Sequence, residues 1–186
     1  LARLDAGMDA YAWWQGSLQF FGLFTAAWGM LLVLRERDLK RILAWSTVAT
    51  LGLLIFAVGM PGPEAAAAVA AFLLAHAMYK ATLFFVAGNV DHGTGTRLID
   101  CLGLLRKAMP LTAAAALLGG LSMAGVPGTF GFMAKSVLHT AEHHAPHTAF
   151  ASPANLIFSV IGAAVAATIA LRIFWQARQT QEPPAH

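Results

Sequence analysis

Phe72-Leu73-Leu74-Ala75-His76-Ala77-Met78-Tyr79-Lys80-Ala81-Thr82-Leu83-Phe84-Phe85 is the stretch that decides the fold. It lies within a longer apolar run, 65–88, whose only charged residue is Lys80. Crossing the hydrocarbon core of a bilayer takes about 20 apolar residues, so the run predicts a spanning helix. Lys80 is the sixteenth residue of a segment of 24 that starts at Ala65, too deep to reach an interface by snorkelling. A lysine at the centre of a span costs roughly 2.5–3.5 kcal/mol on insertion scales, and such residues mark ion and proton paths. His76 precedes it by four positions, which puts both side chains on one helix face. Two titratable groups on one face are what a proton relay needs. The competing reading pairs Lys80 with a carboxylate elsewhere, for assembly alone.

Outward from this helix, four more stretches are long and apolar enough to span: 12–34, 43–60, 110–138 and 154–175. The whole chain is 58% hydrophobic and 11% charged, against about 25% charged in a soluble domain. The expected fold is therefore all-α: a polytopic transmembrane bundle of about five spans. Residues 1–11 form a short leading segment and 176–186 a tail. The first residue is Leu1 rather than Met, which predicts a piece of a longer chain.

Charge sets the expected orientation. Arg35, Arg37, Lys40 and Arg41 follow the first span, Arg97, Arg106 and Lys107 follow the third, and Arg172 and Arg178 close the fifth. If the chain crosses once per segment, these all fall on one side, and the other side keeps only Arg3. The positive-inside rule puts the basic side in the cytoplasm, with the N-terminus external and the C-terminus cytoplasmic. Trp13, Trp14, Trp45 and Trp175 lie near segment ends, as an interface belt requires. The basic residues are not gathered into a patch that could hold nucleic acid.

The fourth span carries a break. Ala124-Gly125-Val126-Pro127-Gly128-Thr129 cannot continue a regular helix, since Pro127 lacks an N–H and clashes with the preceding turn. Broken helices survive in membranes only where protein or a wet cavity covers the freed backbone groups, and transporters place them at ion sites. Lys135 lies just beyond. It could serve such a site or snorkel to the outer interface. His139-Thr140-Ala141-Glu142-His143-His144-Ala145-Pro146-His147 is read as an external loop, pH-responsive or incidental, rather than a metal site. Cys101, the single cysteine, excludes an internal disulfide. Gly93-Thr94-Gly95-Thr96 lacks the context of a nucleotide loop and is read as a turn. No metal and no cofactor is expected.

Three runs, in order, resemble the motifs of one family. Arg37-Asp38-Leu39-Lys40-Arg41-Ile42-Leu43-Ala44-Trp45-Ser46-Thr47 resembles the D-[IL]-K-R-[IVL]-L-A-[YW]-S-T signature of antiporter-like membrane subunits. His76-Ala77-Met78-Tyr79-Lys80-Ala81-Thr82-Leu83-Phe84 is similar to their H-A-x-[FY]-K-A-x-L-F helix, and Ser122 to Lys135 to their broken helix, S-x-x-G-x-P followed by G-F-x-x-K. The family includes Mrp-type multisubunit sodium/proton antiporters and the proton-pumping membrane subunits of respiratory complex I. Val90 to Arg97 and the ending Glu182 to His186 look closest to the large A-type component of Mrp antiporters.

The resemblance implies the second of two inverted five-helix repeats. It implies Lys80 as the lysine of a central hydrophilic axis, Lys135 as the terminal lysine of that axis, and His76 as a relay. Phe72 stands where some complex I relatives carry a further histidine. Tyr79, Ser46 and Thr47 are secondary pathway candidates, and Gly125, Pro127 and Gly128 form the break. The implied function is proton and cation translocation by a transporter component in a cell membrane, with protons and sodium ions as cargo and other membrane subunits as partners. The alternative is the membrane component of a redox-driven complex, either a complex I-like NADH:quinone oxidoreductase or a membrane-bound hydrogenase.

Overall fold

The computed structural model describes residues 12–60, 63–143, 160 and 162–176. Six helices carry them: α1 (Ala12–Arg35), α2 (Leu39–Val58), α3 (Pro63–Thr94), α4 (Pro110–Ala124), α5 (Phe130–His143) and α6 (Gly162–Trp175). Among the described residues the only strand-like pairing is an isolated bridge between Asp38 and Leu98. Trp13–Arg35, Leu39–Val58 and Ala65–Thr94 are each long and apolar enough to cross a membrane. The fourth crossing is two half-helices, α4 and α5, and α6 is a shorter apolar helix. The polytopic bundle with a broken fourth span is thus the observed architecture. The histidine-rich stretch, expected as a loop, is helical through His143 as the end of α5; its remainder, 144–147, lies outside the described residues, as do 1–11, 148–159 and the tail beyond 176.

Helix ends and apolar runs do not coincide. α2 begins at Leu39, four residues before the apolar run, because the Asp38 carboxylate accepts from the Lys40 and Arg41 amides at 2.8 and 3.2 Å. An N-cap of this kind starts a helix whether or not lipid surrounds it. α3 runs six residues past the apolar run and ends at Gly95, whose φ is +70°. Hydropathy measures the thickness of the bilayer, whereas capping and glycine decide where the helix stops.

α1 and α2 form an antiparallel hairpin whose backbones nearly touch. A Cβ on Gly22 would fall 2.5 Å from the Phe56 amide nitrogen, and one on Gly52 would fall 2.5 Å from that of Ala26. Small residues at such crossings replace the hydrophobic drive that lipid removes with close van der Waals packing.

Two hydrophobic clusters fill the bundle at different levels. One gathers Leu39, Leu43, Leu83, Val86, Val90, Leu102, Ile173 and Phe174. The other gathers Leu53, Phe56, Met60, Ala68, Phe72 and Leu138. Along α2 and α3 the change from one cluster to the other falls at Ser46 and at His76–Lys80. Ser46, His76 and Lys80 are the buried polar side chains among the described residues. The polar layer therefore lies between two dry ones. Trp45 packs partly buried against the first cluster.

The basic connections meet on one face. Leu39 and Ile99 exchange backbone bonds with Arg97 and Arg37, and the Leu104 amide donates to the Gln176 carbonyl at 2.8 Å. Ion pairs fasten the same face. Arg37 and Arg172 both hold Asp100, Arg97 holds Asp38, Lys40 holds Asp91 and Arg41 holds Glu36.

Candidate functional site

Lys80 arises from the middle of α3 and is 4% exposed. Its ammonium donates to the Leu43 carbonyl at 3.0 Å and to Ser46 Oγ, both on α2. Ser46 Oγ in turn donates to the Leu43 carbonyl at 2.9 Å, and so does Thr47 Oγ1 at 2.9 Å. One carbonyl thus collects three side-chain donors, and the amine rests on a patch of neutral oxygen. Among the described residues no carboxylate lies within ion-pair distance of Lys80. A buried charge without a counter-charge is costly, and neutral acceptors offset that cost only in part.

His76 lies one turn earlier on α3, equally buried. Its Nδ1 is 2.9 Å from the Tyr79 hydroxyl, and the two rings meet edge to face. Its Nε2 is enclosed and has no hydrogen-bond partner among the described residues. Leaving a buried polar atom unpaired costs about 1–3 kcal/mol, which is why such atoms are rare in finished structures.

Lys135 is placed by the break. Gly125 takes φ +78°, and the Gly125 and Val126 amides fold back onto the Leu121 carbonyl at 3.1 Å each, closing α4 with a Schellman-type turn. Thr129 then caps α5, its Oγ1 accepting from the Phe132 amide at 3.3 Å. α5 returns so close to α4 that a Cβ on Gly131 would overlap the Ser122 carbonyl. The Gly131 amide donates to Ser122 Oγ at 3.2 Å. This turn brings Lys135 back over the end of α4. Its ammonium donates to the Met123 and Ala124 carbonyls at 3.2 Å each, and its stem covers Gly125. The last-turn carbonyls of a helix lack partners and form the negative end of its dipole, so a cation is favoured there. Lys135 is half-buried and folded back over the end of α4.

The structure therefore gathers Lys80, His76, Tyr79, Ser46 and Thr47 in one cluster on α2 and α3. It sets Lys135, Gly125 and Ser122 in a second. Pro127 and Gly128 are exposed in the connection between the half-helices. Among the described residues no hydrogen bond joins the two clusters, although α4 and α5 both pack on α3, with Leu83 and Thr82 against Gly119. Sequence reasoning missed the Leu43, Met123 and Ala124 carbonyls, because backbone oxygens carry no residue-type signal. Ser122 was legible only as a motif position.

A family model described as NADH:quinone oxidoreductase/Mrp antiporter, transmembrane, matches residues 1–172. The A-type component of the sodium/proton antiporter of Bacillus subtilis (strain 168) is 38% identical over 158 residues, which are 79% of this chain and 20% of that protein. Among solved structures, the Mrp complex from Dietzia sp. DQ12-45-1b matches with TM-score 0.71 and 37% identity over 86% of this chain and 18% of its own. Respiratory complex I from Thermus thermophilus with bound NADH matches with TM-score 0.76 and 29% identity, over 88% of this chain and 34% of its own. The chain spans about a fifth of the length of the curated relatives it matches.

Proposed function

The chain belongs to the NADH:quinone oxidoreductase/Mrp antiporter transmembrane family, and from that premise we propose that it is a proton-conducting segment of a multisubunit sodium/proton antiporter. It acts within a larger assembly of membrane subunits, and its basic face is cytoplasmic by the positive-inside rule. Protons pass by way of Lys80, His76 and Lys135. Ser46, Thr47 and Tyr79 serve as hydroxyl partners, and the break at Gly125, Pro127 and Gly128 holds the second amine. The span limits 12–34, 43–60, 65–88, 110–138 and 154–175 mark the lipid-embedded part of each crossing.

One observation carries this reading: Lys80 is buried between two apolar clusters and bonded only to neutral oxygens. An ammonium held that way can lose its proton without leaving a carboxylate stranded beside it. The enclosed His76 Nε2 supports the relay, since a water or a side chain from the rest of the assembly would complete its bonding. Lys135 is secured differently, by the Met123 and Ala124 carbonyls at the open end of a half-helix. Two amines in unlike settings suit a directed transfer better than two in like ones.

The test is antiport in membrane vesicles holding the complete complex, with Lys80→Ala and Lys135→Ala introduced singly. Loss of proton-coupled sodium movement in each is expected. Full transport in both variants would end the proposal. The likeness to a chain of T. thermophilus complex I favours a second reading, in which redox chemistry elsewhere drives the same helices. Copurifying subunits decide between the two: small antiporter subunits for the first, iron–sulfur or flavin subunits for the second.

A further inference from the structure

On the basic face, an open cavity of about 660 Å³ lies where four segments meet. It is lined by Leu34, Arg35, Glu36 and Arg37 after α1, by Ile99 and Asp100 in the turn before α4, and by Arg172 at the end of α6. Asp100 is shared between Arg37 and Arg172, at 3.0 and 2.5 Å. Glu36 is turned to Arg41, outside the lining, at 2.8 Å. Arg35 makes no ion pair among the described residues, and the Arg37 side chain is 76% exposed although it touches Asp100. The cavity therefore keeps an excess of positive charge and at least one uncommitted guanidinium.

Leu34 joins the lining, and exposed apolar residues stand beside the lining arginines along α1 and α6. Leu31 and Leu34 on α1 are 54% and 67% exposed, and Leu171 and Trp175 on α6 are 50% and 37% exposed. Leu31 lies one turn before Arg35, Leu34 and Leu171 directly precede Arg35 and Arg172, and a tryptophan stands at the same end, as at the boundary between acyl chains and headgroups. A hydrated soluble anion would use the arginines and gain nothing from the leucines. A phosphodiester carried on two acyl chains uses both. Basic pockets between spanning helices on the cytoplasmic side bind anionic headgroups on the same grounds, and guanidinium groups match phosphate oxygens in forked pairs.

We propose that this cavity is a binding site for the phosphate headgroup of an anionic phospholipid, held by Arg35 and Arg37 with Arg172 behind them. Its acyl chains run along Leu31, Leu34 and Leu171. The lipid closes the gap between the ends of α1 and α6 on the face where the connections meet. None of this depends on the proton route, since the residues are separate from Lys80, His76 and Lys135.

The experiment uses the complete complex in phosphatidylcholine vesicles containing a trace of photoactivatable phosphatidylglycerol, labelled near the headgroup. Cross-linked peptides are mapped by mass spectrometry. Cross-linking to the segment around 31–37 and to the one around 171–175 is expected. It should fall roughly 25-fold in an Arg35→Gln/Arg37→Gln double variant, at about a factor of five per arginine near the surface. Arg172 is kept so that its pair with Asp100 still fastens the fold, and Arg35→Gln alone, which breaks no ion pair among the described residues, should already lose about fivefold. Three results would overturn the proposal. They are equal labelling by photoactivatable phosphatidylcholine, full suppression by inorganic phosphate at millimolar concentration, and cross-linking of a peptide from a neighbouring protein of the complex in place of these two segments.

Discussion

Ser46 and Lys80 should be energetically coupled, and the size of the coupling can be worked from their contacts. The Lys80 ammonium has two hydrogen-bond partners, the Leu43 carbonyl and Ser46 Oγ. Ser46→Ala removes one of them inside a site where Ser46 is 6% exposed and water cannot readily substitute. Hydrogen bonds to charged groups contribute about 1.5–3 kcal/mol, so the substitution should destabilise by roughly that amount. In a Lys80→Met background the ammonium is gone, and Ser46→Ala loses only the local bond from Ser46 Oγ to the Leu43 carbonyl. That loss should cost about 0.5 kcal/mol or less, since a hydroxyl bonded back into its own helix adds little. The expected coupling is then at least about 1 kcal/mol, well above the roughly 0.3–0.5 kcal/mol within which independent sites add. Lys80→Met alone should be neutral or stabilising, because an apolar side chain of similar length replaces a buried charge without a counter-charge. The assay is equilibrium unfolding of the purified complex in mixed micelles, for the wild type, both single variants and the double. Additivity within about 0.5 kcal/mol would show that the contact carries no charge-assisted bond, and the account of Lys80 as an amine resting on neutral oxygens would fail.

Three further outcomes follow from the same structure. Arg172→Ala should destabilise more than Arg37→Ala in a thermal inactivation series: both arginines hold Asp100, but their side chains are 25% and 76% exposed. The exposed pair is expected to contribute about 0–1 kcal/mol. Equal shifts would refute the ranking. Gly52→Val should separate α1 from α2, since even a Cβ would fall 2.5 Å from the Ala26 amide nitrogen. A loss of about 1–3 kcal/mol or failure to assemble is expected, read from complex yield on size exclusion. Gly125→Ala should cost roughly 1–2 kcal/mol for its left-handed backbone. It should also displace Lys135, whose Cδ would lie 2.9 Å from the new methyl, so antiport should fall along with stability. Unchanged antiport in Gly125→Ala would show that the position of Lys135 over the end of α4 does not matter.

Much of the architecture could be read in advance because a bilayer imposes one requirement, that each crossing satisfy its own backbone. Uncharged runs of about 20 residues have then few other fates. The Gly-Val-Pro-Gly stretch marked the broken crossing for the same reason, since a missing N–H cannot be hidden. Helix ends were less legible. The start of α2 depends on one carboxylate, Asp38, and the end of α3 on Gly95, and neither registers as hydropathy. The ion pairs on the basic face could not be assigned at all, because like residues in three connections can pair in many ways until the chain is folded.

For the site, the sequence by itself determined which groups can carry a proton and that Lys80 and His76 share a face of one helix. Those follow from residue chemistry and from the helical repeat. Only the tertiary structure decided what each amine rests on. The Leu43 carbonyl lies 37 positions from Lys80, and the Met123 carbonyl lies 12 from Lys135. Both are backbone oxygens, present at every residue and therefore silent in the sequence until packing presents a particular one to a side chain. The same distinction explains why the two lysines differ. Their side chains are identical, but one sits between dry clusters on hydroxyl and carbonyl oxygens, and the other caps the open end of a half-helix.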